Sequence, residues 1–262
     1  MTGNLPLLQA PPGPSRPLAW RRDLLLPAAA LALAVLAGLL WYGLALWKAL
    51  AWALAFGAAL PLALSPSPQT AARLRWGAFA LGPLLAFLLV EQMNYNYQVW
   101  AELSVLQTCL NLVWYYMAAG LLYLLTGRVR LSAGAVTALF VGIGLANRYV
   151  IRFRGRTIFP GDLLTLRTAA NVAGSYNYTP DEVQLHCLLA LALFLLLLWK
   201  IPKRPGRQGP RLQAALPAGL VCAADLLVFF QTDFLSWAGI EPSMWTTRGN
   251  GFVLNFSVCL RY

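Results

Sequence analysis

LLLPAAALALAVLAGLLWYGLALWKALAWALAFGAALPLAL, residues 24–64, contains one charged side chain, Lys48. A helix needs about 20 apolar residues to cross hydrocarbon, so a run of about 40 is too long for one crossing and suits two. The break is expected at WYGLALWK, residues 41–48, where Trp41, Tyr42 and Trp47 suit an interface, Gly43 permits a bend and Lys48 supplies the charge. The double arginine at 21–22 followed by an apolar run invites a signal-peptide reading, but the run far exceeds a signal peptide's apolar core. An uncleaved hairpin is the expectation.

The whole chain shares this character. Its 262 residues are 59% hydrophobic and 11% charged, with mean hydropathy +0.61. Soluble domains carry about a quarter charged residues, so the natural solvent here is lipid. Twenty Lys and Arg against nine Asp and Glu give a net charge of +11. On a soluble protein that excess would suggest nucleic acid. Here the basic residues fall in short connectors between apolar runs, which encodes orientation in a bilayer and excludes nucleic acid as the partner. Cys109, Cys187, Cys222 and Cys259 form no framework and read as small packing residues. The single histidine, His186, leaves no histidine-rich metal cluster.

Five further apolar runs lie at roughly 75–90, 105–126, 131–151, 182–199 and 213–231. Basic groups occur at Arg16, Arg21 and Arg22; at Arg73 and Arg75; at Arg128 and Arg130; and at Lys200, Lys203, Arg204, Arg207 and Arg211. Seven spans put all four groups in the cytoplasm, with the N-terminus inside and the C-terminus outside. The connector EQMNYNYQVWAE (91–102) then lies outside with Glu91 and Glu102 and no Lys or Arg. The expected fold is all-α, a polytopic helical membrane protein of about seven transmembrane helices plus an external interfacial helix. Residues 1–22, which include the Pro-rich LQAPPGPSRP, read as a disordered cytoplasmic tail. Residues 23–65 form the hairpin and 66–232 a five-helix domain with an external excursion at 152–179, while 233–262 form an external juxtamembrane linker.

One stretch breaks the charge rule. RYVIRFRGRTIFPGDLLTLR, residues 148–167, places Arg148, Arg152, Arg154, Arg156 and Arg167 on the outside. Five arginines buried without partners would cost on the order of 12–18 kcal/mol, about as much as a protein's whole stability. They belong at a headgroup layer or in a polar cavity. Arg148, Arg152 and Arg156 share one helical face, so the fifth span should continue as helix to near Gly155 and stop before Pro160. Asp162 can cap a short interfacial helix over roughly 163–173. Thr179, Pro180 and Glu182 stand at the spacing of an N-cap, N1 and N3, which starts the sixth span. The arginines either anchor helix ends among headgroups or bind phosphate, to which the guanidinium fork is matched. In the second case Asn147, Arg148, Arg152, Arg154, Arg156, Asp162 and Asn171 are the headgroup-binding set.

LANRYVIRFRGRTIFPGDLLTLRTAANVAGSYNYTPD (145–181) resembles the membrane region of lipoteichoic acid synthase-like proteins of Gram-positive bacteria. There a span ends in an asparagine-containing segment followed by RFRG, a proline, an acidic-leucine pair and an NVAGNY-like run. The matching positions are Asn147, Arg152, Phe153, Arg154, Gly155, Pro160, Asp162, Leu163, Asn171, Val172, Ala173, Gly174 and Tyr176. MWTTRGNGFVLNFSVCLRY (244–262) is similar to the family's NGFLLNF segment, and together the resemblance covers about 75–262. It implies a relative of phosphoglycerol transferases, which carry five spans and then an extracellular sulfatase-like domain of the alkaline phosphatase superfamily. That domain has a threonine nucleophile and a divalent metal, usually manganese, and takes glycerol phosphate from phosphatidylglycerol. This chain differs in its additional hairpin and in reaching Tyr262 before any catalytic motif. No catalytic residue carries over, and no cofactor is expected in this chain.

The expectation is therefore a non-catalytic membrane module of the bacterial cell membrane. It would bind anionic lipid headgroups, with phosphatidylglycerol the expected lipid, and present an extracellular sulfatase-like domain in cis or in trans. A small-solute or lipid transporter is the alternative, for which Asp225, within a span, is the one supporting residue; it could pair with Arg148 across the bundle.

Overall fold

A computed structural model describes residues 18–165, 174, 176–202, 212–243 and 249–262, and all that follows concerns these. The chain forms two compact units, residues 1–74 with 199–203 and residues 75–198 with 204–262.

In the first unit, α1 (Leu25–Trp41) and α2 (Leu46–Ala59) form an antiparallel hairpin. The turn falls where the aromatic and glycine signals predict, with Gly43 at φ +90°. The hairpin packs through alanines: Ala28, Ala49, Ala53 and Ala59 are buried, and a Cβ on Gly57 would lie 3.0 Å from that of Ala32. Small side chains let backbones approach closely, which is how helices associate in lipid. The sequence reading has no strands, yet β1 (Leu18–Trp20) pairs antiparallel with β2 (Leu62–Leu64), with Ala19 opposite Ala63. Each strand directly flanks the hairpin, so closing the helices also brings these two apolar tripeptides together. Lys200 donates to the Leu60 carbonyl at 2.5 Å in the same unit.

The second unit is helical. Its elements are α3 (Pro68–Met93, which begins in the first unit), α4 (Val99–Glu102), α5 (Val105–Thr126), α6 (Val129–Arg154), α7 (Glu182–Lys200), α8 (Leu212–Gln231), α9 (Phe234–Trp237) and α10 (Phe252–Arg261). Phe87, Val90, Tyr115 and Phe252 form one core cluster; Leu89, Met93, Val141 and Cys187 form another; Phe229, Leu235, Leu254 and Val258 form a third. α6 ends at the expected place, with Gly155 at φ +70° as its left-handed cap. A 3₁₀ turn, Pro160–Thr165, opens the excursion beyond it. Of the interfacial helix expected over 163–173, residues 163–165 belong to this 3₁₀ turn and 166–173 lie outside the described residues.

Five helices are long and apolar enough to cross a membrane: Arg22–Trp41, Pro68–Met93, Val105–Thr126, Val129–Arg154 and Glu182–Lys200. Leu46–Ala59, Leu216–Gln231 and Phe252–Arg261 are shorter apolar helices. The chain has the character of a multi-pass membrane protein.

Three sequence expectations are corrected. α7 is capped by Asp181, not Thr179: the Asp181 carboxylate accepts the Gln184 N–H at 2.9 Å, and the Gln184 side chain accepts the Asp181 N–H at 2.7 Å. That reciprocal box satisfies two of the helix's open N–H groups, which Thr179 would leave two residues too early. Glu91 does not lie in a water-exposed connector; it is the third residue from the end of α3 and is fully buried. Residues 252–261 are not a bare linker: α10 packs against α5, with Leu254, Asn255 and Val258 buried.

Candidate functional site

The end of α6 carries the arginine stretch, and the structure divides it into an inner and an outer part. Asn147 and Arg148 are inside. Asn147 donates to the Asn94 side chain at 3.0 Å, and its carbonyl oxygen accepts the Thr157 hydroxyl at 2.9 Å and the Ile158 N–H at 2.8 Å. It thereby ties the chain returning from α6 to the end of α3.

Arg148 gives its Nε–H to Asp181 at 2.5 Å, donates to the carbonyls of Gln92 and Met93 at 3.3 and 3.2 Å, and reaches the Tyr97 hydroxyl at 3.5 Å. Its guanidinium lies 4.2 Å from the centre of the Tyr95 ring. Tyr95 has φ +68°, a left-handed conformation that costs a non-glycine residue about 1–2 kcal/mol. The turn that places this ring under the cation imposes that conformation. Arg148 is thus matched to partners on three segments and turns no face to a ligand. Its acid is Asp181, whereas Asp225, the residue raised by the transporter reading, is exposed. Neither Asn147 nor Arg148 is placed to meet a headgroup.

The outer part is different. Arg152 donates to the Thr179 carbonyl at 2.9 Å and is exposed. Arg156 holds Asp162 through both oxygens at 2.8 and 2.9 Å, and Arg154 reaches the same carboxylate at 3.2 Å. The Phe159 N–H also donates to Asp162, at 2.9 Å. Burial pushes the Asp162 carboxyl up. The Arg156 hydrogen bonds, the Phe159 N–H and the two guanidinium charges outweigh it and hold the group below the ordinary carboxylate range. The same hydrogen bond raises Arg156 above its ordinary value. Arg154 keeps 39% of its side chain exposed and Arg156 31%. Two cations, Arg154 and Arg156, meet one carboxylate here, with Arg152 exposed on the same helix end, so the cluster carries an excess of positive charge. Asn171 lies outside the described residues.

Beside this cluster an apolar groove of about 740 Å³ runs along α6. Phe140, Ile143, Val150 and Phe153 form its floor, Phe252 and Phe256 of α10 one wall, and Tyr176 and Tyr178 the other. The Phe153 ring stacks on Tyr176 at 4.4 Å, and the Tyr149 hydroxyl donates to the Tyr178 carbonyl at 2.6 Å, which fastens the returning segment to the helix. Arg154 and Asp162 close one end.

The α10 wall is held by residues that the sequence reading passed over. Glu91 accepts the Phe252 N–H at 2.7 Å with one oxygen and the Asn96 side chain at 2.5 Å with the other. Asn111 donates to the Asn250 carbonyl at 2.6 Å and accepts the Leu254 N–H at 3.0 Å. Asn250 donates to the Glu241 carbonyl at 2.7 Å and to Asn255 at 3.2 Å. The signal available in the sequence was an asparagine inside an apolar run, Asn111, which must find a partner in lipid. No group of three or more His, Cys, Asp or Glu able to hold a metal occurs among the described residues. No family model, curated protein or solved structure matches this chain.

Proposed function

We propose that the chain is a multi-pass membrane module that binds anionic lipid headgroups through Arg152, Arg154 and Arg156. The observation that carries this reading is the outer arginine cluster. At the end of a helix long enough to span a bilayer, two guanidinium groups, Arg154 and Arg156, share one carboxylate and stay partly exposed, and the exposed Arg152 adds a third cation that no carboxylate meets among the described residues. Fork-shaped donors at a headgroup layer suit phosphate. In the full proposal the chain crosses the bacterial cell membrane seven times, with its N-terminus cytoplasmic and its C-terminus outside. On the resemblance to lipoteichoic acid synthase-like proteins, it would serve an extracellular sulfatase-like transferase domain in cis or in trans, and the lipid would be phosphatidylglycerol.

Native mass spectrometry tests the headgroup reading. Arg152→Gln with Arg154→Gln should lower phosphatidylglycerol retention about tenfold while the folded fraction is unchanged. Unchanged retention returns these residues to simple anchoring. The purified chain given phosphatidylglycerol and manganese should release no diacylglycerol, because phosphoryl transfer needs a nucleophile beside clustered metal ligands. Turnover that survives stringent purification would overturn the non-catalytic reading.

A further inference from the structure

The arginine cluster and the apolar groove belong to one feature. Groove-lining positions recur along α6 from Phe140 to Arg154. That is 154 − 140 = 14 helical steps, or about 21 Å at about 1.5 Å per residue. One leaflet of hydrocarbon is about 15 Å, half of a core about 30 Å thick, and a headgroup layer lies beyond it. The groove therefore has the length of one leaflet plus a headgroup. Its volume, about 740 Å³, lies within the range of specific small-molecule sites, roughly 300–1,000 Å³.

Polarity along the groove is one-sided. The charged lining residues, Arg154 and Asp162, sit together at one end, and Phe140, Ile143, Phe252 and Phe256 line the rest. A water-soluble ligand would leave its polar groups unsatisfied along that length. Only a molecule with a long apolar part and an anionic head is complementary to both ends. Leu163, also at the charged end, is half exposed, and Leu164 beside it is 91% exposed, as suits the boundary between chains and headgroups.

We propose that the groove holds one acyl chain of an anionic phospholipid, with the phosphate on Arg154 and Arg152 adjacent. This inference rests on the headgroup reading above and adds to it a defined, single-lipid seat. Glu91 and Asn111 become positioning residues, because they fix the α10 wall through Phe252 and Leu254.

The test uses the full chain in phosphatidylglycerol vesicles doped with a phosphatidylglycerol that carries a diazirine near the end of one acyl chain. A matched phosphatidylcholine probe is run in parallel. Irradiation should label peptides containing Ile143 and Phe256 above the other spanning helices, and the phosphatidylglycerol probe should label more than its neutral counterpart. Val150→Trp, which fills the groove, should reduce that labelling at least about fivefold, and Leu139→Trp, on an exposed face of the same helix, should not. Excess glycerol phosphate should leave labelling unchanged; loss on its addition means the site takes the free phosphate and overturns the lipid assignment. Labelling spread evenly over the apolar helices, or indifferent to Val150→Trp, also overturns the seat. In that case reduced retention by the Arg152 and Arg154 variants would leave the headgroup reading standing. Retention indifferent to the arginines removes both.

Discussion

A single arginine shows how the membrane end of this chain is made stable. Arg148 would be costly in lipid, but every segment around it offers an acceptor: Asp181, the Gln92 and Met93 carbonyls and Tyr97. Arg148→Gln leaves the part-exposed Asp181 without its cation and the Gln92 and Met93 carbonyls without a donor, and should destabilise the fold by about 1–3 kcal/mol, read as a lower Tm in detergent. Lipid retention per folded molecule should stay as in the wild type, since Arg148 faces inward. Loss of retention at unchanged Tm would return Arg148 to the headgroup set. Asp162 gives the complementary pH prediction. Its folded pKa lies below the unfolded value of about 3.9, so its contribution is present above that pH and disappears as pH falls through the folded value. Wild-type Tm should therefore drop on acidification below about pH 4 more steeply than that of Asp162→Asn, and parallel curves would refute the pairing. The arginine run was legible in the sequence because charge is conspicuous in an apolar chain. Its division into inner and outer parts was not legible, because the Arg148 partner lies 33 residues away and beyond a turn.

At the scale of elements, the hairpin and the long helices could be read directly, since a crossing is a matter of length and hydropathy. Alternation of apolar and polar residues misled at α10. Asn250 looks as if it needs water, but protein groups replace the water: Asn111 donates to the Asn250 carbonyl across 139 residues, and the Asn250 side chain donates to the Glu241 carbonyl and to Asn255. Gly251 is where that docking is most exacting. Its φ is +78°, and a Cβ there would lie 2.6 Å from the Asn111 side-chain nitrogen. Gly251→Ala should destabilise the unit by about 1–3 kcal/mol and speed amide exchange over 252–258 before the other helices are affected. Uniform acceleration across all helices would contradict a local latch. The Asp181 cap was missed for a simpler reason: Thr179-Pro180 matches the preferred start, and only the Gln184 side chain, reaching back, decides between them.

For the whole molecule, the proposal of seven crossings makes a prediction that distinguishes it from a five-crossing arrangement. Single cysteines introduced in 203–211 should resist membrane-impermeant maleimide in intact cells, while cysteines at 176 or 241 should react; labelling of 203–211 from outside would overturn the orientation. The bond between Glu91 and the Phe252 N–H has a further consequence, in time. Its two partners are separated by 161 residues, which a ribosome adding about 5–20 residues per second makes about 8–32 s apart. During that interval the α3 carboxylate still awaits the amide that will accompany it. The bundle is therefore sealed by a late-emerging segment, and the nascent chain must be shielded, by insertion machinery or by water held at that end, until the seal arrives.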